Sequence, residues 1–500
     1  MHANAHSRLT QLSRAPRRAG AVPTAVLLLT ALIAGAASTR ETWGQGATPS
    51  AAVKRFITVD APVVALTHVR VIDGTGAAPR EDQTVLIANG RISAMGPAAS
   101  VRVPSDARAI DATGKSLMPG LVMVHEHLFY PSLQGTIWHE EGGNALRLYL
   151  GAGVTTMRTG GSMHPIADLN LRKYVEQGKI PGPKIDVTGP YITGPGIDAP
   201  QMPEITTPEE GRKLVAEWAD RGATSFKAYM HVSRAVLGAA IAEAHRRGLK
   251  VTGHLCSVTF REAAELGIDN LEHGFVASTD FSTEKQPDRC PMGDGSVATN
   301  VALGVDSDSV RALIALLVRK KVAITSTLAV FETLTPGRPP ISEATLAALS
   351  VQSNEYVQRA RISIDRMSPT APRARMLAME MAFERAFVRA GGLLLAGTDP
   401  TAYGAAIAGY GNWRQLELLV EAGFTPLEAI TIATLNGARY LGRDTDVGTI
   451  AVGKQADLML VAGNPATAIG DVAKVEIVFK DGVGFDAAKL LASAKGTIGL

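Results

Sequence analysis

Cysteine is almost missing from this chain, with two residues in 500. That excludes a disulfide scaffold and a cysteine-rich zinc module. Net charge is equally scarce, a formal +3 from 50 basic and 47 acidic residues, so there is no electrostatic case for gripping nucleic acid. The apolar run at 21–37 contains Pro23 and is short for a membrane span. Asp and Glu are absent from residues 1–40, while Arg8, Arg14, Arg17 and Arg18 precede the run and Ala34-Gly35-Ala36 follows it as a small-x-small cleavage pattern. This order predicts a secretory signal peptide over 1–37, a secreted or periplasmic location, and no stable membrane span in the mature form. Loss of those four arginines takes the formal charge from +3 to −1.

What is present is ordinary for a folded protein: 46% hydrophobic residues, 19% charged, 50 Gly and 27 Pro, which excludes a disordered or collagen-like chain. At about 100–200 residues per domain the length predicts two to four domains, although one α/β barrel uses about 250 residues by itself. Short strands with turn signals occupy 65–96, with an Asn89-Gly90 hairpin signal, and similar text returns at 447–485. The two ends therefore predict one small β-sandwich domain, its parts at 60–118 and 441–490. The middle, 119–440, alternates β-rich apolar runs with amphipathic stretches, as repeated βα units do.

Eight strands are expected there, at 121–127, 154–160, 184–193, 224–230, 250–255, 270–275, 322–330 and 393–400. Eight such units close into a (β/α)8 barrel. A helix is expected over 233–247, ending before Gly248, and long insertions at 276–308 and 331–375 fall where loops shape substrate access. Polar residues recur near the carboxyl ends of the strands, where barrel enzymes keep their active sites. His125 and His127 share a face by the period of two, and Glu126 points away. Lys227, His254, His273 and Asp399 follow on later strands. Four imidazoles, a carboxylate and a lysine at one mouth make a metal site.

The ordered motifs MPGLVMVHEHL (118–128), FKAYM (226–230), VTGHL (251–255), NLEHG (270–274) and AGTDP (396–400), with the C-terminal run 425–460, resemble the amidohydrolase superfamily, specifically its prolidase and imidazolonepropionase-like branch, over roughly 65–490. The resemblance implies two divalent metal ions. His125, His127 and Asp399 would hold the first, His254 and His273 the second, and Lys227, as N6-carboxylysine, would bridge them. Imidazole and carboxylate ligands fit zinc best. A plain lysine would be repelled by two cations, whereas its carbamate is an anionic ligand. The activity so implied is hydrolysis of an amide in a small dipeptide or N-acyl amino acid. A metal-bridging hydroxide would be the nucleophile, Asp399 the proton shuttle, and Tyr229 and His139 candidates for stabilising the tetrahedral intermediate. The alternatives are a lactonase or esterase, or a cyclic-amide hydrolase, on the same site. A non-catalytic relative would have shed ligands, and all six are kept. Glu126 and Met123 depart from residues usual in the family's first motif, and leave the subfamily open.

The bland readings differ by residue. His68 and His245 read as structural, Arg158 as a residue that orients loops, Asp457 as structural, and Cys256 as a packed thiol, although export would allow a Cys256–Cys290 disulfide. Arg289, Arg338 and Arg361 on the long insertions are open to two readings, a partner for a substrate carboxylate or solvated surface. The sequence leaves a homo-oligomer open.

Overall fold

The computed structural model describes residues 48–132, 137–197, 199, 201–292 and 295–500. The predicted signal peptide lies outside the described residues. Apolar strand text in the middle of the chain forms two parallel sheets. The first runs Leu121–Glu126, Val154–Thr159, Lys184–Asp186 in spatial order, and the second Thr188–Ile192, Ser225–Met230, Lys250–Leu255, Asn270–Glu272, Ala323–Ser326, Leu394–Ala396. Only Val187 separates the two sheets along the chain, so the parallel strands follow one another in sequence order. Just past the last strand, Thr398 and Asp399 N–H donate to the His125 carbonyl on the first, at 3.1 and 3.0 Å. The arrangement is mixed α/β and TIM-barrel-like.

Helices between these strands start where the sequence supplies caps. Thr207 with Glu210, Thr259 with Glu262 and Thr425 with Glu428 form capping boxes at the helices Pro208–Asp220, Phe260–Leu266 and Pro426–Thr431. The helix expected over 233–247 spans Arg234–Arg246, capped by Ser233, and buries Val236, Leu237, Ala240, Ile241 and Ala244. That spacing is one helical face.

Several strands are shorter than expected. The strand expected to reach 275 stops at Glu272 and passes into a 3-10 turn, Gly274–Ala277. The strand expected to reach 330 stops at Ser326, and a helix, Leu328–Thr333, follows. The insertions at 276–308 and 331–375 are not simply loops; they contain the helices Gly295–Leu303, Glu343–Ala348 and Val351–Asp365.

Strands from both ends of the chain join one nine-stranded sheet, in the order Ile57–Val59, Val483–Asp486, Val475–Lys480, Leu458–Ala462, Lys115–Pro119, Val63–Val71, Arg80–Ala88, Arg91–Pro97, with Arg108–Asp111 also paired to Val63–Val71. Its apolar core includes Val64, Leu66, Val85, Ile92, Leu117, Leu458, Leu460 and Phe479. Asn89 and Gly90 turn the hairpin with φ of 51° and 73°, the left-handed pair that a two-residue turn requires. No helix among the described residues is long and apolar enough to cross a membrane.

The sheet is tied to the amino ends of the parallel strands by buried charge. Lys184 Nζ meets Asp457 Oδ2 at 2.6 Å, Asp481 Oδ1 at 2.7 Å and Gln455 Oε1 at 2.6 Å. Arg443 adds two hydrogen bonds to Asp186, at 2.8 and 3.0 Å.

Candidate metal centre

His125 and His127 close the first parallel strand, and room for them is made by glycine. A Cβ at Gly160, on the neighbouring strand's end, would lie 2.2 Å from His125 Cδ2, and one at Gly397 would lie 2.4 Å from His125 Cβ. Both neighbours must therefore lack side chains for the imidazole to sit between them. Glu126 points the other way, as the period predicts, yet it is fully buried. Its carboxyl accepts from Thr398 N–H at 3.0 Å and Asn412 Nδ2 at 2.9 Å, and burial raises its pKa to about 8.

The later strands bring their side chains to the same place. His127 Nε2 lies 3.1 Å from Asp399 Oδ1, His125 Nε2 3.5 Å from the same oxygen, and His273 Nδ1 3.7 Å from Asp399 Oδ2. One donor atom from each of His125, His273 and Asp399 falls within 4.8 Å of the others. His254 packs beside them, its ring 4.5 Å from that of His273. His273 and Asp399 hold left-handed backbone, φ 69° and 48°, a costly conformation for non-glycine residues that recurs at functional sites.

The electrostatics suit cation binding. Burial lowers His127 and His254 to about 4 and holds His273 well below the usual imidazole range, so these rings are neutral and keep a lone pair for a metal. Burial alone would raise Asp399, but the adjacent His125 and His127 outweigh it and hold the carboxylate well below its ordinary range. His273 Nδ1 shares a 2.8 Å hydrogen bond with Thr327 Oγ1. A proton on that nitrogen leaves Nε2 free to bind. His127 Nδ1 is buried without a hydrogen-bond partner among the described residues. Neutral imidazoles converging on an ionised carboxylate are the donor set of a divalent-cation site, so the residues fit the metals that the resemblance implies.

Lys227 lies 2.5 Å from Glu272 Oε2 and 3.3 Å from His125 Nε2, between the rings of Tyr191 and Tyr229 at 5.6 and 5.9 Å. Tyr229 also packs its ring 5.1 Å from that of His254, and burial, then Asp399 and Glu272, raises its pKa to about 12. Its hydroxyl is therefore protonated at neutral pH. His139 sits half-buried on a separate two-stranded ribbon, Phe129–Ser132 with Ile137–Glu140, opposite Tyr130.

Glu272 is the member that sequence reasoning passed over. It bridges Lys227 and Arg158, whose Nη1 is 3.3 Å from Glu272 Oε1. Burial would raise Glu272, but Lys227, His125 and Arg158 hold it well below the carboxylate range. The signal was available: a carboxylate on a fully buried three-residue strand inside NLEHG needs a cationic partner. Arg158 is correspondingly not a loop-orienting residue. It is buried among the strands, donating to Ser225 Oγ at 2.8 Å, Val124 O at 2.9 Å and Thr252 Oγ1 at 2.9 Å. Behind His273, the helix Pro372–Arg389 buries Glu380 and Glu384, which accept from Val276 N–H and Ser326 Oγ, each at 2.8 Å. Burial pushes Glu384 up to about 8, and burial with the neighbouring Glu384 pushes Glu380 well above the ordinary carboxyl range.

Two cavities clarify access. One of about 860 Å³ lies against the helices Arg234–Arg246, Phe260–Leu266 and Asp308–Arg319, and no cluster residue lines it. Another of about 790 Å³ reaches His254, Cys256 and Cys290. Cys256 is not a packed thiol: it forms a disulfide with Cys290. His68 pairs with Asp82 at 2.7 Å, and His245 with Asp269 at 3.0 Å.

The Amidohydrolase family model matches residues 116–484. The chain belongs to the amidohydrolase family. The membership and the amidohydrolase and peptidase neighbours support a hydrolase acting on amide carbon–nitrogen bonds. A crystal structure of a candidate prolidase from Bifidobacterium longum is 27% identical, with a TM-score of 0.62 over 87% of this chain and 99% of that one. A Xaa-Pro dipeptidase with bound methionine (19% identity, TM-score 0.64, 85% and 100% covered) and bottromycin amidohydrolase (22%, 0.67, 89% and 93%) share the fold. Among curated proteins, 5'-deoxyadenosine deaminase of Methanobrevibacter smithii is 38% identical over 58 residues, 12% of this chain and 13% of that protein's length.

Proposed function

We propose that this amidohydrolase cleaves the amide bond of a dipeptide or N-acyl amino acid with the help of two divalent cations. The observation that carries the reading is the buried meeting of His125, His273 and Asp399 donors within 4.8 Å. His125, His127 and Asp399 would hold one cation and His254 and His273 the other, and Lys227, as a carbamate, would be an anionic ligand for them. When bound, such a pair acidifies water and polarises a carbonyl. Zinc suits the imidazole and carboxylate set.

The chain's own residues do the rest. Asp399, ionised and held by Thr401 Oγ1 at 2.9 Å, accepts a proton at its carboxylate from the attacking water and returns it to the leaving nitrogen. Tyr229 donates its hydroxyl hydrogen to the developing oxyanion. His139, on the ribbon after the first parallel strand, is the second candidate donor. Carboxylation of Lys227 removes its positive charge, and Glu272 then keeps Arg158 as its partner. The prolidase and dipeptidase descriptions of the structural neighbours point to the same substrate class.

The proposal includes a closed eight-stranded barrel over 119–440, a β-sandwich from 60–118 and 441–490, and removal of 1–37 on export to a secreted or periplasmic location. The Cys256–Cys290 disulfide suits that oxidising compartment.

Elemental analysis of the signal-free protein, produced with zinc and bicarbonate, tests the reading beside Lys227→Ala. About two metals per chain are expected, with fewer in the variant, together with turnover of dipeptides or N-acyl amino acids. One metal unaffected by the substitution would overturn the bridging role of Lys227. Turnover of lactones with none of amides would overturn the substrate class.

A further inference from the structure

We infer that Arg289 is the subsite for a substrate carboxylate, held in place by the Cys256–Cys290 disulfide. The inference deepens the amide-hydrolase reading and rests on it. The cavity of about 790 Å³ runs from His254 to Arg289. His254 is the last residue but one of its strand, and two residues on Cys256 is bonded to Cys290, the residue after Arg289. On the other side, Asp288 accepts from Arg234 N–H at 2.8 Å and Arg234 Nε at 3.1 Å. Both sequence neighbours of Arg289 are thus pinned, and its own N–H donates to Gln286 O at 3.2 Å.

The guanidinium itself is exposed, and no described residue pairs with it. The other candidates are spent. Arg338 grips Glu421 with two bonds of 2.7 Å, and Arg361 is held by Asp365 and by Thr335 O at 2.8 Å. Lys285 donates to Ser257 O at 2.7 Å. Asp288, the acid in the same wall, is neutralised by Arg234. The charge this cavity offers is therefore one unspent cation, and Ile205, Met230, Val276 and Met292 make neighbouring wall apolar. An apolar amino acid with a free α-carboxylate matches that wall: the leaving half of an N-acyl amino acid, or the C-terminal residue of a dipeptide.

Binding separates this inference from the reading beneath it. N-ethyl-L-leucine and its carboxamide, which carry an amine where a substrate has its amide, are titrated calorimetrically into the metal-loaded full chain. The acid is expected to bind about tenfold more tightly than the carboxamide, as a charge-assisted pair against a neutral one. Arg289→Ala should weaken the acid alone and erase the difference; Cys256→Ser with Cys290→Ser should do so in part. Equal binding of both probes by the wild type, or equal weakening of both by Arg289→Ala, would overturn the assignment. Full discrimination in the cysteine variant would overturn the positioning role of the disulfide. Turnover of N-acetyl-L-leucine is read separately: discrimination without hydrolysis keeps Arg289 and removes the amide-hydrolase reading, and hydrolysis without discrimination does the reverse.

Discussion

Lys184 and Lys227 are buried to the same depth, each 2% exposed, and their surroundings differ in kind. Lys184 has two carboxylates and an amide oxygen within 2.7 Å. Burial would lower its pKa, but Asp457 and Asp481 outweigh burial and raise it. The ammonium there is matched by carboxylates, and the cluster joins the terminal sheet to the parallel strands. Lys227 has one carboxylate, an imidazole nitrogen and two aromatic faces, beside three further histidines and Asp399. Its neighbours include rings that burial leaves neutral, one of them, His127, with a buried nitrogen that no described residue hydrogen-bonds. Matched buried charge holds parts together; a donor set left short of cations is built to take them in.

Substitutions should separate the two clusters. Asp399→Asn is expected to reduce kcat/KM by at least about 10³-fold, through loss of a proton acceptor and a metal ligand, with little change in the melting temperature of metal-free protein. Lys184→Met should do the opposite. Leaving Asp457 and Asp481 buried without their cation costs about 3–5 kcal/mol in denaturant unfolding, while metal content stays at the wild-type value. If Lys184→Met also empties the metal site, the two clusters are one cooperative unit and the contrast fails. Lys227→Met should be milder for the fold, about 1–3 kcal/mol, because Glu272 keeps Arg158 and Thr252, but it should lower metal content.

A pH series sharpens the comparison from a third direction. Glu384 is raised to about 8 from 4.5 and Glu380 is raised well above its ordinary value, both chiefly by burial. A folded value above the unfolded one means that the folded state holds extra protons from about pH 4.5 upward. Stability therefore falls as pH rises through that window, by up to about 1.4 kcal/mol per pH unit for each group. Glu384→Gln should flatten that slope in chelator-treated protein; an unchanged slope between pH 5 and 8 would mean the pair does not titrate there. The smallest effect belongs to Glu126→Gln. A carboxyl raised to about 8 is mostly protonated at pH 7, so the isosteric amide should shift unfolding free energy by less than about 1 kcal/mol. A loss of several kcal/mol would show that Glu126 is ionised.

Much of this was legible from short-range pattern. The period of two put His125 and His127 on one face with Glu126 behind them, and cap residues announced helix starts, because both signals are local. Which cation meets Glu272 was not legible, since its pairing with Arg158 joins residues 114 apart on non-adjacent strands. The disulfide spans 34 residues through an insertion whose path no periodicity describes. The strand end at His273 was overestimated because its left-handed φ of 69° is imposed by the site and not by local preference.

The strand Lys115–Pro119, immediately before the first ligand strand, pairs along one side with Leu458–Ala462. During synthesis at about 5–20 residues per second, that edge waits on the order of tens of seconds for its partner. Over the same interval Asp399, which completes the cluster begun by His125, has to emerge as well. The nascent chain therefore carries an open, apolar edge until Leu458–Ala462 has emerged, and the meeting of His125, His273 and Asp399 cannot form before Asp399 has. A holdase that covers this edge should therefore matter most while the residues between the two strands are being made.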